Sequence, residues 1–482
     1  MSLSSALSIA QNSLLNTSRQ TSVVSRNVSE EKNADYARRT AVLSSTAPGA
    51  RVVVIQRATN EQLFRQNLSA VSSWSGQTTV YTGMDRLSLA VDGVDNALSP
   101  ATSITELQKA LQTYSATPTN RTLADNAINA ARNVVRSLND GAAAIQTFRV
   151  ETDQQISTAV NELNSLLSQF QAANKEIVSG TASGRDVNDA LDKRDALLKQ
   201  ISEYVPVSTF TRGNNDMVVM TSDGTTLFET VPRSISFEPS AAYASGTPGN
   251  KVYIDGVPVT MGSGGNTTSG GKIAGLLQLR DSVATTMQSQ MDEIARGLIS
   301  AFAETDPNGV LADAPGLFTW PGAPAMPADG TLVNGLAGQI SLNAAFVSNP
   351  EYLRDGGANG AGYVHNTEGG TSYTDLLIKY GDRMDEPMAF DAATGIGGSV
   401  SLATYSANSI GWFQGVRKDA STAAESKEAL AVRTAEALSN DTGVNVDMEM
   451  SLLLELENSY SASARLIKAV DEMLASLLAA VR

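Results

Sequence analysis

Asp189, Asp192 and Asp195 stand three residues apart on one predicted helix, beside Lys193 and Arg194. A row of carboxylates invites a glycosidase reading, but such a pair of acids faces a cleft from separate elements. Three acids on one helix face are instead those of a solvated or salt-bridged surface. The single histidine, His365, lies in a Gly/Asn-rich stretch without another His or any Cys nearby. General acid–base work needs a positioned partner, and a metal site needs several ligands. The glycine loop Gly262–Gly271 departs from the phosphate-loop pattern at Asn266 and again at Ile273, which follows Lys272. Asp306, Asn308 and Gly309 open like a calcium loop, yet Leu317 occupies the position of its closing Glu, so a tight turn is expected. No Gly-x-Ser-x-Gly elbow occurs. These residues assign no catalytic, cofactor-binding or metal role, and no enzyme activity is expected.

The elements that would carry these residues are mostly helices. Near the start, Leu3, Leu7, Ala10, Leu14, Thr17, Thr21, Val24 and Val28 alternate by four and three along one stripe. Near the finish, Leu453, Leu456, Tyr460, Ser463, Ile467, Val470, Leu474, Leu477 and Val481 repeat the pattern. This is coiled-coil spacing, and each stripe needs a partner. Further helical periodicity is expected over 59–91, 104–114, 119–177, 186–204, 272–305 and 404–439. Between the first two helices, 25–39 reads as a polar loop and 52–55 as an apolar run. Short β-branched segments at 217–221, 226–228, 235–237 and 251–254, separated by Asp-Gly and Pro-Gly turns, read as strands. A further strand is expected at 339–342, inside a Gly/Pro-rich stretch that reads as surface elaboration.

The expected fold is therefore mainly α with a β-rich insert. The N- and C-terminal helices pair into a coiled-coil rod, a helical bundle adjoins it, and a small β domain lies in the middle. The expected domains are 1–45 plus 446–482 for the terminal coiled coil, 46–204 plus 272–445 for the bundle with its loop-rich elaboration at 306–400, and 205–271 for the β-rich outer domain. At 482 residues with a formal net charge of −15, the chain would be repelled by nucleic acid and by anionic lipid. No apolar run approaches the roughly 20 residues of a membrane span, so neither nucleic acid nor membrane insertion is expected. Met1–Gln11 lacks the basic and apolar regions of a signal peptide. Aromatic residues make up only 5%, a composition suited to thin bundles.

The tail from Gly443 to Leu474 resembles the C-terminal signature of the flagellar axial proteins, with Val444, Asn445, Asp447, Glu449, Met450, Leu452, Leu453, Tyr460, Ala462, Ala464 and Arg465 in the matching places. The N-terminal signature is met by Asn27, Tyr36 and Arg38, while Glu30, Asn33 and Asp35 depart from it. Two internal blocks, Asn188–Leu198 with Ile201 and Ser202, and Gly271–Asp281, are similar to segments of the hook-associated protein 1 family. Flagellin has neither.

This resemblance implies a structural protein that polymerises at the distal end of the hook as the adaptor to the filament. The implied partners are further copies of itself in heterologous contacts, the hook protein, a second junction protein, and a cytosolic export chaperone on the C-terminal helix. It also implies an extracellular, flagellar location reached without a cleavable signal peptide, and no cofactor. The implied assembly residues are Leu3, Leu7, Leu14, Val24 and Val28 with Leu453, Leu456, Tyr460, Ile467, Val470, Leu474 and Leu477. A flagellin-like filament subunit is the nearest alternative. A secreted adhesin or enzyme with its site in the β insert is the other.

Overall fold

A computed structural model describes residues 3–46, 49–267 and 269–480. Helix α1 spans Leu3–Ser29, and a hairpin follows it, β1 (Arg39–Thr46) and β2 (Gly49–Arg57). Helices α2 (Glu61–Val91), α3 (Pro100–Ala116), α4 (Arg121–Ala182) and α5 (Asn188–Tyr204) come next. Strands β3 (Val207–Thr211), β4 (Met217–Thr221) and β5 (Thr226–Phe228) form one antiparallel sheet in that order. Strands β6 (Ile235–Ser236), β7 (Tyr253–Ile254) and β8 (Val257–Pro258) form another. Then come α6 (Lys272–Gln278), a π-helical turn at Leu279–Val283, and α7 (Ala284–Ala301). The loop-rich part holds β9 (Phe318–Thr319), β10 (Ser341–Leu342), α8 (Ala344–Ser348), α9 (Tyr352–Asp355), α10 (Asp375–Asp385), β11 (Met388–Phe390) and β12 (Gly398–Val400). Two long helices close the chain, α11 (Leu402–Thr442) and α12 (Val446–Ala480).

The chain forms two compact units, and each is built from separated stretches of sequence. Unit 1 comprises Met1–Trp74, Glu162–Ser234 and Ser426–Arg482; unit 2 comprises Ser75–Asn161 and Ile235–Glu425. The division falls between the two three-stranded sheets, so the 205–271 stretch contributes β3–β5 to one unit and β6–β8 to the other. In unit 1, Leu163, Leu167, Phe170 and Ile177 of α4 are buried along with Leu197, Leu198 and Ile201 of α5 and Val219 and Phe228 of the sheet. Phe170 and Phe228 meet edge to face, 5.0 Å between centroids.

Unit 2 has the larger apolar core, which runs from Val80 and Leu87 of α2 through Leu107, Leu138 and Ile145 to Leu298 and Phe302. Helices α2 and α6 approach closely because Gly76 and Gly275 face each other: a Cβ on Gly275 would fall 2.7 Å from the Gly76 carbonyl oxygen. The 306–400 stretch is more than surface elaboration. It supplies Phe318, Leu336, Phe346, Leu377, Tyr380 and Phe390 to the same core. Buried carboxylates hold its irregular backbone in place of regular pairing. Asp292 accepts from the amides of Gly335 (2.7 Å) and Ala337 (2.9 Å). Glu304 accepts from those of Ala358 (2.9 Å) and Asn359 (2.7 Å).

The β1–β2 hairpin is an element that the sequence does not announce, since 25–39 reads as a loop and 52–55 only as an apolar run; helix α10 and strand β3 are others. Val481 of the terminal stripe lies outside the described residues. At Asp306, both carboxylate oxygens accept backbone amides, from Asn308, Val310 and Leu311, which makes it the cap of a tight turn.

Candidate assembly site at the paired termini

Within unit 1, α1 and α12 lie antiparallel along each other. Ser13 Oγ is 2.8 Å from Ser463 Oγ, and Asn27 Nδ2 donates to Glu449 Oε2 at 3.1 Å. Ser13 and Asn27 are as far apart in α1 as Ser463 and Glu449 are in α12, so one regular register holds across both links. The buried residues on this side of α1 include Ala10, Thr17 and Val24, spaced by sevens. Those of α12 are Glu449, Leu456, Ser463 and Val470, also spaced by sevens. Heptad spacing keeps a seam facing its partner over a helix of 27 residues, about 40 Å.

Val24, Leu456 and Val470 are buried, while Leu3, Leu7, Leu14, Val28, Leu453, Ile467 and Leu474 are half-buried along the seam's flanks. Tyr460 and Leu477 do not pack in it: they are 46% and 52% exposed. The register sets Tyr460 level with Asn16, which turns to the hairpin, donating to the Ala50 carbonyl and accepting from the Val52 amide. No apolar recess is offered there. Leu477 lies past the level of Leu3, the first described residue of α1, which the register places opposite Met473.

The base of the pair is a buried polar knot. Asn27 donates to the Arg39 carbonyl at 2.9 Å as well as to Glu449, and its Oδ1 accepts from Tyr36 Oη (2.8 Å) and the Arg39 amide (3.1 Å). Arg38 Nε donates to Glu449 Oε1 at 2.6 Å, and the Arg38 amide donates to the Thr442 carbonyl at 2.8 Å. Glu449 is fully buried, and Arg38 and Asn27 take up one oxygen each. Burial pushes the Tyr36 phenol above its ordinary value. Asn445 caps α12, its Oδ1 accepting from the Met448 amide at 3.1 Å. Asp447 follows in the first turn, where a negative charge suits the helix dipole. Ala462 and Arg465 are exposed on α12.

The carboxylate row on α5 also belongs to this site. Arg39 Nη2 lies 2.5 Å from Asp189 and 2.8 Å from Asp192. Arg57 Nε lies 2.8 Å from Asp192, and its Nη2 meets Asp195. Arg26 adds a contact of 2.7 Å to Asp189. Three arginines, from α1, β1 and β2, thus interlock with three aspartates of one helix. At Asp192 burial outweighs Arg57 and Arg39 and raises its pKa. At Asp189 burial pulls upward but the hydrogen bonds to Arg26 and Arg39 prevail, and the pKa is lowered. The acids are visible in the sequence as a ladder; their partners, on distant segments, are not. Glu449, the centre of the knot, could have been singled out as the one acid at a seam position of the terminal heptads.

The second internal block, ending in Arg280–Asp281, plays a comparable part in unit 2. Arg280 meets the buried Asp153, donates from Nη2 to Asp281 Oδ2 (2.6 Å), and donates to the Asn250 carbonyl (2.7 Å). Arg149 stacks over Tyr243, 4.1 Å from its centroid, and donates from Nε to the Arg280 carbonyl at 3.2 Å. These contacts pin the segment carrying β6–β8 to the π-helical turn. Among the described residues no group of three or more His, Cys, Asp or Glu could hold a metal ion. Among them, too, no helix is long and apolar enough to cross a membrane.

Residues 91–318 match the model of the flagellar hook-associated protein FlgK helical domain, and residues 438–480 match that of the flagellar basal body rod FlgEFG protein C-terminal region. Flagellar hook-associated protein 1 of Salmonella typhimurium is 24% identical over 312 residues, 60% of this chain and 54% of that protein. The chain thus spans about half the length of this relative. The Bacillus subtilis protein of the same name is 22% identical over 387 residues, 71% of this chain and 70% of its own. The solved structure of the flagellar hook junction protein FlgK from Burkholderia pseudomallei aligns with a TM-score of 0.42 at 21% identity, covering 53% of this chain and 46% of that one. The two domain models and the curated relatives make the chain similar to flagellar hook-associated protein 1 over its helical middle and its C-terminal region.

Proposed function

We propose that this chain is a structural protein of the bacterial flagellum that polymerises at the distal end of the hook and adapts it to the filament. The observation that carries the reading is the terminal pair. Its two helices share one register and a buried knot, yet α12 leaves Leu454, Leu466, Met473, Leu477 and Leu478 exposed. Apolar side chains left outward along a helix whose seam is already filled are what a subunit offers to its neighbours. The contacts between copies are heterologous, since different surfaces meeting head to tail generate an open helical array. The hook protein and a second junction protein flank the zone. A cytosolic chaperone covers the apolar surface of α12 before export, in the manner of a helix laid in a groove. The work is mechanical and needs no catalysis. The match of residues 91–318 to the helical domain of the hook-associated protein favours this role over that of a flagellin-like filament subunit.

Cryo-microscopy of hooks from a strain lacking the gene tests the reading. Bare hooks with filament protein free in the medium are expected, restored to filaments by the intact gene. Filaments attached to hooks in the deletion strain would refute it.

A further inference from the structure

The β1–β2 hairpin holds an irregularity that its fold does not require. Val42 pairs with Val54 and Leu43 with Val52, so Val53 is an extra residue bulged out of the ladder. Side chains of a regular strand alternate between faces, whereas a bulge lets neighbours turn the same way. Here Val53 and Val54 are consecutive and both exposed, 59% and 52%, with Leu43 on the facing strand and Arg51 exposed beside them. Two adjacent valines facing water on a short hairpin are a liability unless something covers them.

A matching surface lies elsewhere in the same unit. The first half of α12 exposes Met450 and Leu454, flanked by Asp447, Glu455 and Glu457. No Lys or Arg occurs between Val446 and Ala464. One patch is apolar with a basic neighbour; the other is apolar with acidic neighbours. They are different surfaces, and α1 and the hairpin's hydrogen bonds to Asn16 keep the hairpin on α1, so its own α12 is not what covers the bulge.

We propose that the bulged face of the β1–β2 hairpin of one copy docks on the first half of α12 of the next, seating Val53 and Val54 against Met450 and Leu454 and placing Arg51 among Asp447, Glu455 and Glu457. This rests on the assembly role proposed above and names the two faces that meet. Because they are unlike, the contact does not close on itself and repeats from copy to copy. The charge pairing selects the neighbour's direction and makes docking weaker at high salt.

The chain contains no cysteine, so introduced thiols report without background. The full-length chain carrying Val54→Cys and Leu454→Cys is expressed in the deletion strain, and assembled hooks are treated with a short bismaleimide. The expected result is a ladder of linked dimers and higher species, with each single variant remaining monomeric. Arg51→Glu in the double variant lowers the ladder at least fivefold, and Glu457→Arg in the same chain restores it. The same treatment of concentrated purified chain reads docking independently of filament attachment. A ladder there without filaments in cells would sink the adaptor role and leave the docking standing. No ladder in either sample, or a ladder indifferent to both charge reversals, overturns the docking.

Discussion

Helices α7 and α12 are both amphipathic, and the contrast between them separates the two halves of this protein's task. Of the eighteen residues of α7, fourteen are buried, including Gln290, Asp292, Glu293 and Arg296. Of the thirty-five residues of α12, only Glu449, Leu456, Ser463 and Val470 are. The chain itself completes α7, to the point of neutralising its charges: Glu293 and Arg296 pair at 2.8 Å within the helix. It leaves α12 open, with one seam that is polar at two of its four buried places. A helix of this kind draws its stability from packing more than from propensity. Unit 2 is therefore a finished scaffold, and on the proposed role the terminal pair is an element that assembly would finish.

The contrast is broken most directly at Arg280. Replacing it with Ala strands the fully buried Asp153 without its charge partner. Losing one member of a buried pair costs about 3–5 kcal/mol. Thermal unfolding should show the transition of unit 2 displaced downward by that amount, with hydrogen exchange of α1 and α12 unaltered. If the terminal pair lost protection equally, the two regions would be one cooperative unit, and the distinction between scaffold and open end would fall.

Asp92 sharpens the same point from the side of charge. It is buried in unit 2 with Oδ2 lacking a hydrogen-bond partner, and burial pushes its pKa up to about 6 from 3.8. A carboxyl raised in the folded state binds protons that the unfolded chain releases. Its penalty is thus full above pH 6 and relieved as pH falls through that value towards 4. A displacement of that size is equivalent to about 3 kcal/mol at most. Asp92→Asn should stabilise unit 2 by up to that amount at pH 7.5, with the gain shrinking below pH 6 in paired denaturation curves. A gain that grew on acidification would contradict this placement.

Leu456 probes the open helix. Truncation to Ala removes a buried side chain from a seam that can partly collapse, so about 2 kcal/mol is expected, the low end for Leu→Ala. The loss should appear as faster hydrogen exchange in α1 and α12 of dilute monomer while α7 stays protected. The seam's Ser and Thr content motivates a further expectation: in dilute monomer the stretch from Leu3 to Ser13 exchanges fast even without substitution, ordering only on assembly. Strong protection of that stretch in monomer would overturn it. Leu477→Ala, at an exposed position, should leave monomer stability within about 0.5 kcal/mol.

The long helices were legible because their cause is local, whereas α8, α9 and α10 of the loop-rich stretch were not. Seven-residue spacing of Ala10, Thr17 and Val24 announces a seam before any partner is known, and α4 runs to Ala182, about one turn past the expected 177, with Gly184 at φ of +69° in the turn that follows. What escaped depends on pairing at a distance. Strand β1 reads Arg-Thr-Ala-Val-Leu-Ser-Ser-Thr, too polar on its own to announce a strand, and it becomes one because β2 lies against it and α1 lies beneath. The division of the β-rich stretch between two units was likewise hidden, since it is decided by Arg149 and Arg280 gripping the segment that carries β6–β8. The knot shows both sides. Asn27, Tyr36 and Arg38 stood out through resemblance, but only the fold reveals that all of them converge, directly or through Asn27, on Glu449.

A small effect is expected at the outer rung of the arginine–aspartate ladder, and it tests how the open end is fastened. Asp189 has a side chain 66% exposed and is shared by Arg26, itself 48% exposed, and the buried Arg39. An exposed pair is screened by water and salt, so Arg26→Gln should cost under about 1 kcal/mol and less at high salt. Arg39→Gln should cost more, because it leaves Asp192 facing Arg57 alone and empties a buried site beneath Tyr36. In a double-mutant cycle between Arg26 and Asp189, a coupling that halves between 50 and 500 mM salt is expected, while the Arg39–Asp192 coupling changes little. Equal salt sensitivity at both rungs would mean that water reaches the whole ladder. The arginines would then be steering groups on an open surface, and the hold of α5 on the neighbouring segments would rest on the Asn188 bond to the Ile55 carbonyl and on Lys199 with Asp35.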